Sequence, residues 1–316
     1  MSNSKGFSLI SEVADYFISL AHKYWCGKMS TGQDFGLAKK IAELQAECTQ
    51  ICKNMTDCVQ LQLLEKAENK YKKCLSVLKT GQISTDRELA IQFFQEYSQA
   101  LLDVTYVVEC QLVNEDFPQD RSAEEIKHLI DRLDQPEQLV KEMFGSDMRA
   151  VEILGIDLLE CLSWRRGALF YMYCHTVFNV SERRRMNTVH IMECTVEGVR
   201  YLQSMLSVRS PLILEEYRDA DIKDSDAVNL LKKGLFSDTH LLALMYAGEM
   251  CYWHWKICRE GYKDVSSLQN RTLNFDSLTN GTKLLQKFVN VVKTQLQGKG
   301  WDFSRAEQIL AEFCDA

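Results

Sequence analysis

Residues Asp157 to His175 read DLLECLSWRRGALFYMYCH and are the most informative stretch of this chain. Apolar residues continue nearly all the way round this helical pattern, which predicts a buried helix, yet Arg165 and Arg166 stand in its middle. No acidic residue lies three or four positions from either arginine, so no carboxylate of the same helix reaches them. Because an unpaired buried charge is costly, we expect another segment or another protein to supply a carboxylate.

A second stretch, FSDTHLLALMYAGEMCYWHW, has the same character with the opposite charge. It runs from Phe236 to Trp255 and carries Glu249 in its middle, again without a partner at helical spacing. We predict that the two helices pack together and that Glu249 pairs with one of the two arginines. Gly167 and Gly248 would allow their close approach. A buried ion pair of this kind is the interpretation that we favour over a partner contact at the arginines.

Composition narrows the class of protein. The chain has 316 residues, of which 46% are hydrophobic and 26% charged, as in an ordinary globular protein. The net charge of −7 argues against a nucleic-acid binder that relies on attraction to phosphates. No apolar run is long enough for a transmembrane helix, and the N-terminus lacks a signal peptide. We therefore predict a cytosolic protein whose twelve cysteines are mostly reduced thiols.

Nearly every segment shows helical periodicity, and only three prolines interrupt it. The patterns predict an all-α protein of roughly ten helices without a sheet. We expect one helical domain over residues 1–316, with residues 1–80 as a candidate separate N-terminal helical hairpin. Boundaries near 114–121 or 210–225 are the alternatives. The predicted helices cover residues 8–25, 36–79 with a break at 56–57, 86–113, 122–133, a segment opening at 136, 147–178, 181–208, a segment ending at 234, 237–259, a segment ending near 297, and a last one from 304.

Two loops superficially resemble ligand sites, and both fail the tests of their motifs. GKMSTGQ at residues 27–33 has Gln33 where a phosphate-binding loop needs lysine, and a helix precedes it where that loop needs a strand. The acidic loop of Asp219, Asp221, Asp224 and Asp226 has no glycine at the sixth position and no glutamate at the twelfth, as a calcium loop requires. We read the first as a helix connection and the second as a solvated loop.

Two other clusters carry chemistry-bearing side chains. Cys251, His254 and Cys258 share one helix face, but a structural zinc site needs a fourth ligand, and no C-x-x-C knuckle exists to provide it. An aromatic packing face is the favoured interpretation. The run Arg183, Arg184 and Arg185 begins a helix and is a candidate basic surface for an acidic lipid or an acidic partner, although a solvated helix start is the favoured interpretation. We find no set of nucleophile, base and oxyanion donors, and expect no enzyme activity and no cofactor.

LLECLSWRRGALFYMYCH and FSDTHLLALMYAGEMCYW, together with LLDVTYVVECQLVNEDFPQD at residues 101–120, resemble the signature segments of one metazoan family. This is the small accessory subunit of the Mon–Ccz complex, the nucleotide exchange factor for the late-endosomal Rab GTPase, Rab-seven. The similarity runs in order from about residue 97 to residue 314, and the N-terminal helices match poorly.

The resemblance implies a non-enzymatic adaptor that binds the Mon–Ccz complex and the GDP-form Rab. It implies a role in Rab recruitment and stability in endolysosomal traffic and mitophagy, in a cytosolic protein that is recruited to late endosomes or damaged mitochondria. The family provides no catalytic residues to transfer. Two alternatives come from the residues: a cysteine-rich helical metal or redox protein, and a scaffold that binds membrane surfaces without the exchange complex.

Overall fold

The computed structural model describes residues 32–83, 86–145, 149–208, 238–261, 272, 274–294 and 296–315. Within these ranges the chain forms eleven α-helices and no strand, which confirms the all-α prediction. None of the helices in these ranges is both long enough and apolar enough to cross a bilayer. The helices are α1 (Gly32–Asn54), α2 (Cys58–Leu78), α3 (Arg87–Asn114), α4 (Ser122–Phe144), α5 (Ala150–Leu154), α6 (Ile156–Phe178), α7 (Ser181–Met186), α8 (Thr188–Val208), α9 (Asp238–Glu260), α10 (Ser277–Thr294) and α11 (Ser304–Cys314).

The predicted break near Thr56 and Asp57 separates α1 from α2. Asp57 is the N-cap of α2, and its Oδ1 accepts hydrogen bonds from the backbone N–H groups of Val59 at 2.8 Å and Gln60 at 2.9 Å. These bonds satisfy two of the amide groups that the first turn of a helix leaves without a partner. An aspartate at this position therefore starts a new helix and turns the long apolar pattern into a helical hairpin.

One predicted boundary is wrong, because Pro136 lies inside α4 and does not open a new helix. Proline removes one hydrogen bond from the helix interior at a cost of about 3 kcal/mol. The apolar face of α4 continues on both sides of the proline, and burial of that face offsets the cost at about 25 cal/mol per Å². The buried apolar residues of this helix are Ile126, Leu129, Ile130, Leu133, Leu139 and Val140.

Two predicted helices are each divided in the structure. Gly155 separates α5 from α6 with a φ of 80°, in the left-handed region that favours glycine. Asn187 separates the short α7 from α8, and its side-chain amide donates to the carbonyl of Arg183 at 2.8 Å. At the end of α9, Gly261 has a φ of 67° and stops the helix where its pattern predicts.

The described residues divide into two compact units, the first made of residues 32–112 and 128–158. Its core contains the aromatic rings of Tyr71, Phe93, Phe94 and Tyr97, all with almost no exposure to solvent. Several ion pairs join its helices; among them, Lys70 of α2 binds Asp103 of α3, and Arg132 of α4 binds Glu47 of α1. Charged side chains thus reinforce an apolar core at its edges.

The second unit contains residues 113–127 and the described residues from 159 onward. Within it, α9 packs against α8, α10 and α11, and ring contacts join it to α6. Trp253 on α9 is almost completely buried, as are Leu244 and Met250 of the same helix. Helix α9 therefore lies at the centre of this unit. The expectation of a single domain over residues 1–316, and that of a separate hairpin at 1–80, stay predictions.

Gly167 and Gly248 are both crowded, but by helices other than those predicted. A Cβ atom on Gly167 would lie 2.5 Å from Cγ of Leu202 on α8, and one on Gly248 would lie 2.4 Å from Cδ2 of Leu285 on α10. Gly167 therefore permits the close approach of α6 to α8, and Gly248 permits the close approach of α9 to α10. The prediction that they bring α6 and α9 together is wrong.

The crowding at Gly167 leads to a stability prediction. We expect Gly167→Ala to lower the free energy of unfolding by about 1–3 kcal/mol, because the added methyl group overpacks the contact with α8. Gly36, in α1, has no atom within 4 Å of the corresponding position and is the matched control. Gly36→Ala should leave the stability unchanged or raise it by up to about 1 kcal/mol through helix propensity. Chemical denaturation measures both, and equal effects of the two changes would contradict the prediction.

Candidate functional site

The carboxylate of Glu249 lies inside the second unit, with only 6% of the residue exposed. Its Oε2 accepts a hydrogen bond from the Tyr171 hydroxyl at 2.7 Å, and its Oε1 accepts one from Nε of Arg305 at 3.3 Å. A buried charge is tolerated when it is paired and hydrogen-bonded. Glu249 thus connects α9 to α6 through the tyrosine and to α11 through the arginine.

The expected partners of Glu249 were Arg165 or Arg166, and the partners found are Tyr171 and Arg305. The reason lies in helix geometry. At roughly 100° per residue, Tyr171 points about 120–140° away from either arginine around the axis of α6. The tyrosine face of α6 meets Glu249, so α6 and α9 do pack together, but the two arginines face elsewhere. Their role as a partner contact stays a prediction.

Arg166 faces α8. It is 4% exposed, and its guanidinium carbon lies 4.9 Å from the centre of the Tyr201 ring, in a cation–π contact. Arg165 is partly exposed, and both arginines take part in further interactions. The burial of Arg166 leaves Arg165 as the more accessible of the two for any partner protein.

Stacked aromatic rings surround the Glu249 carboxylate. Tyr171 stacks on Tyr246 with ring centres 3.6 Å apart and an angle of 7°, and Trp164 stacks on the same Tyr246 at 5.7 Å. Burial raises the pKa of Tyr171, and the neighbouring Glu249 charge raises it further. Tyr171 therefore stays protonated and remains a hydrogen-bond donor to Glu249 over the physiological pH range.

Helix α11 is held against α9 by a small polar network. Arg305 lies over the ring of Tyr252 at 5.3 Å, and the Tyr252 hydroxyl donates to Glu312 at 2.7 Å and accepts from Lys256 at 2.8 Å. These residues could not be predicted from the sequence. Residues 249 and 305 are 56 positions apart, so their contact produces no repeated spacing within one helix. The only signal was the unexplained charge at Glu249, which indicated that some distant cation was required.

The three arginines of the candidate basic surface have different surroundings. Arg183 donates from Nη1 to the carbonyl of Asp116 at 3.0 Å and from Nη2 to the carbonyl of Phe117. Arg184 lies over the Phe178 ring at 4.8 Å, with Glu260 at 3.9 Å from its Nη2. Arg185 is exposed. Arg183 is therefore committed to the fold, and Arg185 presents its charge to solvent.

The cluster around His254 is organised for packing. His254 is completely buried; its Nε2 lies 3.1 Å from the carbonyl oxygen of Thr272, and its Nδ1 lies 3.7 Å from Sγ of Cys258. Burial lowers the pKa of His254 to about 4, so the ring is neutral at pH 7. Among the described residues, no group of three metal-binding side chains is placed to hold an ion.

Four buried cysteines are poorly suited to a redox or metal role. Burial raises the pKa of the Cys74 thiol to about 12, and it also raises the pKa of Cys48, Cys194 and Cys251. A protonated thiol is a poor nucleophile and a poor metal ligand. The acidic loop at 219–226 lies outside the described residues, as does all but the end of the glycine loop at 27–33.

The fold and the site together define an all-α protein whose buried charges are paired within the core and support helix packing. Comparison with known proteins identifies the family. A family model described as RAB7A-interacting MON1-CCZ1 complex subunit 1 matches residues 62–314, and the chain belongs to this family.

Three curated relatives carry the same description. The protein from Danio rerio is 36% identical over 279 residues, which cover 87% of this chain and 95% of the relative. The proteins from Homo sapiens and Mus musculus are each 40% identical over 228 residues, which cover 69% of this chain and 76% of each relative. No solved structure matches the chain significantly. The similarity therefore extends over most of the helical architecture.

The surroundings of Glu249 predict a specific order of stabilities. Glu249→Ala leaves the partly buried Tyr171 hydroxyl without its acceptor and removes the partner of Arg305, so we expect it to lower the free energy of unfolding by about 2–3 kcal/mol. Glu249→Gln keeps an acceptor for that hydroxyl and should cost about 1 kcal/mol. In a double-mutant cycle, Glu249→Gln and Arg305→Met should show a coupling of about 0.5–1 kcal/mol, since Arg305 is partly exposed. Equal losses for the alanine and glutamine variants would rule out this account.

The lowered pKa of His254 predicts that the folded protein loses stability in acid. Its pKa in the folded protein, about 4, lies below the unfolded value of about 6.5, so on acidification the unfolded chain takes up the proton first. The contribution is fully present above about pH 6.5 and is lost as the pH falls toward 4. Between pH 7.5 and 5.0 we expect a loss of about 2 kcal/mol in the free energy of unfolding from this residue alone.

The measurement compares the unfolding free energy of the unaltered protein and of His254→Gln at the two pH values. The glutamine variant should show a smaller acid loss, by about 2 kcal/mol, because its side chain does not titrate. His175→Gln is the control, because His175 is exposed, and it should follow the unaltered protein. An acid loss that is unchanged in His254→Gln would contradict the assignment.

Proposed function

We propose that this chain is a non-enzymatic subunit that binds the MON1–CCZ1 complex and a RAB7A-type GTPase. Membership of the family over residues 62–314 carries the proposal. The relative from Danio rerio, whose name states these interactions, is covered over 95% of its length. A match of this extent includes helices of both units, which supports the proposal that the binding surfaces belong to the shared region.

The contacts of the buried charged residues and of the buried His254 agree with a binding role. Glu249 and Arg166, the charged residues of the two apolar helices, each contact a side chain of a neighbouring helix. His254 of α9 is neutral at pH 7, and its Nε2 lies within hydrogen-bond distance of a backbone carbonyl. Nucleotide exchange would accordingly be carried out by the MON1–CCZ1 complex, and this chain would position or stabilise the GTPase.

The finer parts of the proposal concern the state of the GTPase and its location. We propose that the chain prefers the GDP form and supports recruitment of the GTPase in endolysosomal traffic and mitophagy. The chain would work from the cytosol and be recruited to late endosomes or damaged mitochondria. Of the two core arginines, Arg165 is the better candidate for a partner contact, because Arg166 is buried against α8.

The family match also divides the chain into two parts. It begins at residue 62, inside α2, so α1 lies outside it. Helix α1 is joined to α4 by the Glu47–Arg132 ion pair and buries Leu37, Ile41 and Leu44. The similarity to the Danio rerio relative covers 87% of the chain and therefore extends into α1, for which we propose a supporting structural role.

Co-purification tests the proposal. Tagged full-length chain is incubated in separate experiments with the MON1–CCZ1 complex and with RAB7A loaded with GDP or with a non-hydrolysable GTP analogue. We expect retention of the complex, and stronger retention of the GDP-loaded GTPase than of the GTP-analogue form. An unrelated Rab GTPase serves as the control for non-specific capture. If neither the complex nor the GTPase is retained, the proposed function is wrong.

A further inference from the structure

The segment between α3 and α4, residues 115–121, is held in the second unit by few contacts. Phe117 is its only buried residue, Pro118 is partly exposed, and the others are exposed. The Phe117 ring packs edge-on against Tyr173 of α6, with ring centres 5.8 Å apart and an angle of 76°. One aromatic ring therefore accounts for most of the apolar surface that this segment buries.

One arginine provides the charge-assisted contacts with the same segment. Arg183 of α7 donates from Nη1 to the carbonyl of Asp116 at 3.0 Å and from Nη2 to the carbonyl of Phe117. Gln119 adds a weaker contact, because it donates to the thioether sulfur of Met186. The Nε atom of Arg183 is buried and has no acceptor among the described residues. This arrangement thus leaves one donor of the arginine unsatisfied.

The backbone is strained at the two residues that Arg183 holds. Asp116 and Phe117 have φ angles of 52° and 51°, in the left-handed region. Aspartate tolerates this region, but a bulky residue such as phenylalanine rarely adopts it. Such a conformation costs free energy and persists only where surrounding contacts hold it. The carbonyls that accept from Arg183 belong to these same two residues, so the arginine acts where the strain lies.

We infer that residues 115–121 form a latch with a closed and an open state. In the closed state, Phe117 packs against Tyr173 and Arg183 binds the two carbonyls. In the open state, the whole segment leaves these contacts while the helices of the second unit remain folded. Opening relieves the strain at Phe117 and hydrates Nε of Arg183, which offsets part of the contacts that are lost. Both ends of the segment continue into helices, so the open latch stays tethered and closes again.

Helix α9 of the same unit shows the contrast on which this inference depends. Leu244, Met250 and Trp253 of that helix are almost completely buried, and Glu249 links it to two further helices. Segments with few buried contacts open at a lower free energy than the core of the same protein. The latch is therefore expected to open far more often than α9 unfolds.

The latch gives the second unit an element that can be regulated. A binding event acts on a protein by favouring one of two accessible states. Here the two states differ in whether the Phe117 ring and the Arg183 guanidinium are engaged or reach solvent. Because both carbonyl contacts come from one side chain, Arg183 sets the population of the open state. The latch is a property of the chain itself and does not depend on the proposed function.

Native-state hydrogen exchange on the full-length chain tests the latch. The backbone N–H groups of Asp116 and Arg121 donate to the carbonyls of Val113 at 3.1 Å and Pro118 at 3.4 Å, so their exchange reports on the closed state. After correction for intrinsic rates, we expect both amides to be protected, and to exchange at least about tenfold faster than the central amides of α9.

Arg183→Met keeps the aliphatic stem of the side chain and removes both hydrogen bonds. We expect it to accelerate exchange of the two latch amides by about tenfold and to leave the central amides of α9 unchanged. Phe117→Ala should accelerate the same two amides, because it removes the ring that closes the latch. Arg185→Met is the matched control, since Arg185 is exposed on the same short helix. It should leave exchange of the latch within about twofold.

Three results would each overturn the latch. In the unaltered chain, the latch amides could exchange at the same rate as those of α9, which would mean that no separate open state exists. They could also lack protection, which would mean that the closed state is not populated. In Arg183→Met, exchange of the latch could stay unchanged or rise equally in α9, and the arginine would then not control this segment. The first two results need no variant, so the test does not depend on the folding of an altered chain.

Discussion

A carboxylate buried at the junction of three helices is the constraint on which the second unit depends. Glu249 stands on α9, the central helix, where solvent cannot stabilise its charge. Tyr171 from α6 and Arg305 from α11 take the place of water. Since removing either donor leaves a buried acceptor under-satisfied, the positions of the three helices are coupled through one side chain. The Tyr171 ring that supplies one of these bonds is itself stacked on Tyr246.

This arrangement explains why the most distinctive segments of the chain identify its family and say little about its partners. Arg166 lies against Tyr201, and Arg183 holds two backbone carbonyls, so both charges are used within the fold. Residues with such specific internal partners are difficult to exchange. The signature segments therefore identify the architecture of the chain.

Helix caps and backbone preferences, which depend on a few neighbouring residues, made much of the architecture predictable. Asp57 starts α2 through its own side chain, and Gly261 ends α9 through its own backbone freedom. The errors arose where distant packing decides the outcome. Pro136 continues a helix because an apolar face on both sides of it is buried. Residue 249 was recognised as needing a partner, but its cation lies 56 positions further along the chain. No spacing within one helix reports such a contact.

The order of the two units along the chain has a consequence for synthesis. Residues 113–127 belong to the second unit, and the chain then returns to the first unit for residues 128–158. As the chain leaves the ribosome, the loop that carries the acceptors for Arg183 emerges long before the arginine itself. The first unit, in turn, lacks most of α4 until this early loop has already been made. No single cut of the chain therefore yields two fragments that each hold one intact unit.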